Sequence, residues 1–136
     1  MLRMQDSPLF ALFQPSSGAG RNRLFLMCIF CKIAAGEIPT NFLYESARVV
    51  AFKDLDPQAP AHILIIPRQH FENAAELAAA DSATLSELFG AARELAATLG
   101  LDGYRITFNT GASAGQSVFH AHLHLLGGRP FAWPPG

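Results

Sequence analysis

Val118-Phe119-His120-Ala121-His122-Leu123-His124-Leu125-Leu126 alternates histidine with apolar residues. On a strand, successive side chains point to opposite faces, so His120, His122 and His124 share one face. Phe119, Ala121, Leu123 and Leu125 share the other, where they suit packing on a helix. Adjacent histidines on such a face stand about 7 Å apart, twice the strand rise. Three imidazoles in a row are poor core material, because each carries a polar nitrogen that must be satisfied. Such a row serves as a metal site, as a nucleophile flanked by proton donors, or as a satisfied structural cluster. The regular period of two argues against the last.

The loop Asn109-Thr110-Gly111-Ala112-Ser113-Ala114-Gly115-Gln116-Ser117 runs straight into that strand. Small residues let backbone N–H groups approach an anion closely, and Gln116 and Ser117 add side-chain donors. Further upstream, residues 42–46, 48–53 and 62–66 read as strands, the last stopped by Pro67. Asp54 to Pro60 forms a turn between them. Tyr104 to Asn109 reads as another strand. The clearest helix spans residues 81–99, capped by Asp81 or Ser82 and ended by Gly100. Its apolar stripe is Leu85, Leu88, Phe89, Ala92, Leu95, Ala96 and Leu99. Cys28 to Gly36 suits a short helix. The expected class is α+β: an antiparallel sheet of about five strands, one long helix and a short N-terminal helix.

Half the chain is hydrophobic and 15% charged, which supports one real core and excludes a disordered chain. A formal net charge of −1 points to neither nucleic acid nor a membrane surface as a partner. No apolar run reaches the roughly 20 residues of a membrane helix. Cys28 and Cys31 are the two cysteines. They do not make a secreted disulfide scaffold. Their C-x-x-C spacing suits half a metal site, a redox pair, or two small residues beside a core. Residues 1–26 look different from the rest and are expected to be an extension, disordered or not native, with the folded domain over 27–136.

Other candidate residues read two ways. Asp54 suits sugar hydroxyls or simply the turn at Pro57. Phe30, Ile38, Phe52, Leu55 and Leu64 suit an apolar slot for a base, or core. His62 opens its strand, where a lone histidine is commonly structural.

From about Cys28 to Gly136 the chain resembles the Hint branch of the histidine triad family, the purine nucleoside phosphoramidases. The resemblance is carried by His120-Ala121-His122-Leu123-His124-Leu125-Leu126, Gly36-Glu37-Ile38-Pro39, Asp56-Pro57-Gln58-Ala59-Pro60-Ala61-His62, Gly115-Gln116-Ser117-Val118 and the ending Trp133-Pro134-Pro135-Gly136. It implies a HIT-like fold, with the sheet continued across a homodimer. It implies that His122 is the nucleophile, attacking the α-phosphorus of a purine nucleotide conjugate and forming a nucleotidyl-histidine. A backbone carbonyl, that of His120, would fix its tautomer. His124 would stand near the phosphate and leaving group, and His62 would join the hydrogen-bond network.

The same resemblance implies that Ser117 and the Gly115-Gln116 backbone contact phosphate and that Asp54 binds ribose. Phe30, Ile38, Phe52, Leu55 and Leu64 would surround the purine, and Asn109 would contact the sugar–phosphate region. Trp133 would shape the partner's leaving-group pocket. No cofactor is required for this chemistry. Cys28, Cys31, His70 and His120 match the ligands of a structural zinc found in some members. A cytoplasmic location is expected. A dinucleoside polyphosphate hydrolase or nucleotidyl transferase is the nearest alternative, disfavoured by the Trp-Pro-Pro-Gly ending. A nucleotide-binding adaptor is another, disfavoured by the complete triad with Ser117 and His62.

Overall fold

The structure, a computed structural model, describes residues 28–136. The expected extension over residues 1–26, and Met27 as the start of the domain, lie outside the described residues. Five strands form one antiparallel sheet in the order β1-β2-β3-β5-β4. They are β1 (Tyr44–Glu45), β2 (Val49–Lys53), β3 (Ala61–Pro67), β4 (Tyr104–Thr107) and β5 (Leu123–Gly127). Three α-helices accompany them among the described residues: α1 (Ile29–Ala34), α2 (Ala74–Ala80) and α3 (Ser82–Thr98). The α+β class with a five-stranded antiparallel sheet is as the sequence leads one to expect.

The strand period of two divides the sheet into a core face and a chemical face. Val49, Ala51, Ile63, Ile65, Leu123 and Leu125 join Leu88, Ala91, Ala92 and Leu95 of α3 and Leu77 of α2 in the main core. Val50, Phe52, Leu64 and Ile66 point the other way and pack with Phe30, Ile33 and Ala34 of α1. On this second face lie His62 and, one strand over, His124. The register pairs Leu64 with His124 and His62 with Leu126. The two histidines are therefore diagonal neighbours on one face, a separation that rings can bridge.

Several expectations are corrected. The histidine segment is not one strand from 118 to 126: β5 begins only at Leu123, so His120 and His122 sit in the irregular approach to it. There the Ala121 amide bonds Phe71 O at 2.7 Å, a partner outside the sheet. Phe119 does not pack on the helix and is exposed. The long helix has the expected cap, Asp81 accepting from the Thr84 amide at 3.1 Å. Its buried stripe, however, excludes Phe89 and Leu99, which are exposed, and includes Thr84 and Ala91. Residues 74–80, given no element from sequence, form α2. Asn73 caps it by accepting from the Glu76 amide at 2.9 Å, the N-x-x-E form of a helix start.

Leu88 is fully buried at the centre of the main core. Leu88→Ala leaves a cavity there and is expected to cost about 2–5 kcal/mol of unfolding free energy, read from urea denaturation with an unchanged m-value.

Candidate functional site

Four of the five histidines meet along the chemical face, and backbone groups decide where their protons lie. His122 Nδ1 lies 2.8 Å from His120 O. A carbonyl only accepts, so Nδ1 carries the proton and Nε2 of the neutral ring holds the lone pair. The opposite rule governs His62. The Gln58 amide donates to His62 Nδ1 at 3.0 Å, so the proton of that ring is on Nε2. His62 Nε2 lies 2.9 Å from His124 Nδ1 and donates to it. His124 then carries its proton on Nε2. That atom is buried and meets no partner among the described residues.

Phe30 stands edge-on to His122 with ring centroids 5.1 Å apart, and the His122 and His124 centroids are 4.9 Å apart. Burial pushes both rings below the ordinary imidazole range. For His122 the His120 ring adds to this and its hydrogen bond to the His120 carbonyl opposes it. For His124 burial, with His122 and His62 beside it, pushes the value down to about 4. Both rings are therefore neutral at pH 7, the form in which imidazole is a nucleophile.

His120 faces away from this chain. Its Nε2 lies 2.8 Å from Pro67 O and donates to it. In the neutral ring this turns the Nδ1 lone pair toward Cys28 Sγ and Cys31 Sγ, each 3.5 Å away. Cys31 Sγ is also 3.3 Å from His70 Nδ1. Cys28 caps α1 and Cys31 lies on its first turn, so the C-x-x-C spacing brings both sulfurs to one side. Their mutual hydrogen bond pulls the Cys28 thiol down and, with burial, pushes the Cys31 thiol up.

The four ligand atoms lie within 4.8 Å of one another. A tetrahedron with the usual zinc–sulfur and zinc–nitrogen bonds has edges of about 3.5 Å, which the sulfur–nitrogen distances of 3.5, 3.3 and 3.5 Å match. Asp54, His62 and His124 also gather three donors within 4.8 Å. They do not fit a metal, because Gln58 N–H keeps the His62 proton on Nε2, where a ligand needs a lone pair.

The small-residue loop is a turn built around Ala112–Ala114, with Gly111 at φ +90° and Gly115 at φ +99°. These are left-handed backbone values that only glycine adopts without strain. The Gln116 side chain is not the free anion donor expected from its position, because its amide is fully engaged inside the protein. Its Oε1 accepts from the Gly111 amide at 2.8 Å, and its Nε2 donates to Glu72 O at 2.7 Å and Val118 O at 3.1 Å. It ties the loop shut, and exposed Ser117 stays available.

Phe30, Phe52 and Leu64 lie together in the α1-side cluster with Ile38 against it, whereas Leu55 is 99% exposed and outside it. Asp54 Oδ2 is 3.4 Å from His62 Nε2. Asn109 is half-buried near Gly115, and Trp133 is exposed on the tail. A groove of about 400 Å³ joins Ser117 to Cys28 and His70. Another depression, about 650 Å³, lies between residues 100–105 and 128–131, away from the histidines. Sequence reading did not find the Gln58 amide or the Pro67 carbonyl, since backbone partners leave no mark in residue type.

Comparison with known proteins places this geometry in context. The HIT domain model matches residues 35–131. An uncharacterised HIT-like protein of Synechocystis is 50% identical over 109 residues, 79% of this chain and 96% of its own length. The crystal structure of a HIT family hydrolase from Legionella pneumophila is 48% identical with a TM-score of 0.76, covering 80% of this chain and 99% of that one. A histidine triad nucleotide-binding protein from Candida albicans is 36% identical with a TM-score of 0.68, covering 80% and 84%.

With its pKa near 4, His124 is expected to keep its ring resonances unchanged from pH 7 to pH 5 in an NMR titration of the free protein. A His124 midpoint at or above the ordinary value of 6.5 would contradict the buried, neutral ring described here.

Proposed function

Because the chain belongs to the HIT domain family, we propose that it is a hydrolase of purine nucleotide conjugates: a nucleoside phosphoramidase that cleaves the P–N bond of adenosine phosphoramidates of the AMP-lysine type. The observation that carries this reading is the 2.8 Å hydrogen bond from His122 Nδ1 to His120 O, which leaves a neutral ring with its lone pair on Nε2. That atom is the nucleophile. Relatives described as a HIT family hydrolase and as a histidine triad nucleotide-binding protein support it.

His122 Nε2 attacks the α-phosphorus. The N–P bond to the ring forms as the P–N bond to the amine breaks, and the amine leaves with a proton given by the Ser117 hydroxyl or His124 Nε2–H. Water then attacks the nucleotidyl-histidine. It adds hydroxyl to phosphorus, returns its other proton to that donor and frees His122, so the proton given up in the first step is restored in the second. The His120 carbonyl steadies the charged ring of the intermediate. His124 Nε2–H and the Ser117 hydroxyl donate to phosphoryl oxygen and departing nitrogen; the Gly115 and Gln116 amides shape the loop instead, donating to Ala112 O at 3.0 Å and Gly111 O at 3.1 Å. Asp54 accepts from the ribose hydroxyls, and Asn109 contacts the sugar–phosphate region. Phe30, Ile38, Phe52 and Leu64 surround the purine, with exposed Leu55 closing over its outer side.

The protein acts as a homodimer in this reading. The sheet continues from an edge strand, β4, which carries exposed Tyr104. Trp133 then reaches the partner's leaving-group pocket. Among the described residues no helix is long and apolar enough to cross a membrane. Cys28, Cys31, His70 and His120 would hold a structural zinc, which would tie the start of α1 to the segment before β5 and supply no chemistry to the reaction.

Hydrolysis of a fluorogenic adenosine phosphoramidate is expected for the wild type and is expected to fall by at least about a thousandfold in His122→Ala. Turnover that survives this substitution would reject the nucleophile, and a preference for diadenosine polyphosphates would reject the phosphoramidase branch. Protein purified without chelator is expected to hold stoichiometric zinc by elemental analysis, and to lose it in Cys28→Ser with Cys31→Ser. Wild-type protein free of zinc would overturn the metal assignment.

A further inference from the structure

The proton on His62 Nε2 has one hydrogen-bond acceptor and one carboxylate close by. His124 Nδ1 is 2.9 Å away and Asp54 Oδ2 is 3.4 Å away. It has no third place to go, because the Gln58 amide occupies Nδ1 of the same ring. His62 is almost wholly buried, so water does not dilute either contact. Asp54 is held in place independently: its Oδ1 accepts from the Asp56 amide at 2.8 Å, a local Asx turn. The next link ends in His124 Nε2–H, a buried donor with no partner among the described residues. Burying an unmet donor is costly, and substrate is what can meet it.

We propose that His62 is a positioning residue that carries ribose recognition into the chemical step. A ribose hydroxyl donated to Asp54 draws the carboxylate off the His62 Nε2 proton. That proton then goes wholly to His124 Nδ1, which holds His124 Nε2–H on the substrate's α-phosphoryl group. The inference rests on the phosphoramidase reading for its substrate and on Asp54 as the ribose contact. The carboxylate is the stronger acceptor of the two, so its hold on the shared proton weakens most when another donor satisfies it. Hydrogen bonds in a chain also polarise one another, so a stronger His62–His124 bond makes His124 Nε2–H a better-oriented donor. Binding energy from a part of the substrate that does not react is thereby expressed at the reacting phosphorus. The device requires the Gln58 amide: were the His62 proton free to move to Nδ1, the chain would run in the reverse sense.

The test crosses a change in the protein with a change in the substrate. Steady-state kinetics are measured on adenosine and 2′,3′-dideoxyadenosine phosphoramidates for wild type, His62→Gln and His62→Phe. Removing the ribose hydroxyls is expected to lower kcat of the wild type by about tenfold, the worth of one hydrogen bond, as well as raising KM. In His62→Phe, kcat on the ribo substrate falls and the two substrates share one kcat, differing in KM alone. His62→Gln keeps an N–H in place of Nε2 and recovers part of kcat. A wild-type response confined to KM overturns the proposal, as does a kcat response that persists undiminished in His62→Phe.

A second measurement is independent of turnover. Nitrogen-15 spectra of the imidazoles in the free wild-type protein are expected to show the proton on Nε2 of His62 and His124, and on Nδ1 of His122. A proton on Nδ1 of His62 or of His124 overturns the relay. A wild type that hydrolyses no phosphoramidate refutes the phosphoramidase reading, and these tautomers still decide the relay.

Discussion

A buried imidazole cannot choose its tautomer freely, because a carbonyl accepts only a proton and an amide N–H accepts none. Three backbone groups impose that choice here. His120 O takes the Nδ1 proton of His122, Pro67 O takes the Nε2 proton of His120, and the Gln58 amide fills Nδ1 of His62. From these follow a lone pair at His122 Nε2, a lone pair at His120 Nδ1 beside two sulfurs, and a donor at His124 Nε2. Each imidazole thus has a distinct role although all carry the same side chain. Neighbouring histidines at the approach to β5 therefore face two ways, one turned to the cysteines and the others to His62 and Asp54.

The sheet makes this arrangement stable. Its alternation sends Ile63, Ile65, Leu123 and Leu125 into the main core and leaves His62 and His124 on the opposite face. The apolar positions anchor the strands, so the polar positions between them are held without needing apolar contacts of their own. Helix α1 then covers part of that second face, and Phe30 presses edge-on against His120 and His122. This burial holds the His122 imidazole below its ordinary range.

Much of the fold was legible from period alone: the long helix with its Asp81 cap, β2 and β3, and an antiparallel α+β arrangement. The misjudged parts have local causes. Helix α2 is short and alanine-rich, and its single fully buried side chain, Leu77, is too little to make a periodic stripe. The histidine segment alternates perfectly, yet it does not join the ladder before Leu123, because the Ala121 amide finds Phe71 O instead of a neighbouring strand. Phe89 and Leu99 fall on the helical stripe by spacing but lie exposed at its edge. At the site, the triad, Ser117, His62 and the four metal-type ligands were all legible as residue types. The engagement of Gln116 inside its own loop was not, because an amide side chain suits an anion and a backbone equally well.

The sequence by itself determined which side chains are available and which of them share a face, because strand and helix periods are properties of the covalent chain. It determined that three histidines stand in alternation beside a small-residue loop, and that two cysteines lie one helical turn apart. Only the tertiary structure decided what each histidine does. Carbonyls and amides from positions as distant as Pro67 and Gln58 set the imidazole protons, and every residue type carries those same backbone groups, so only folding could bring the right one to each ring.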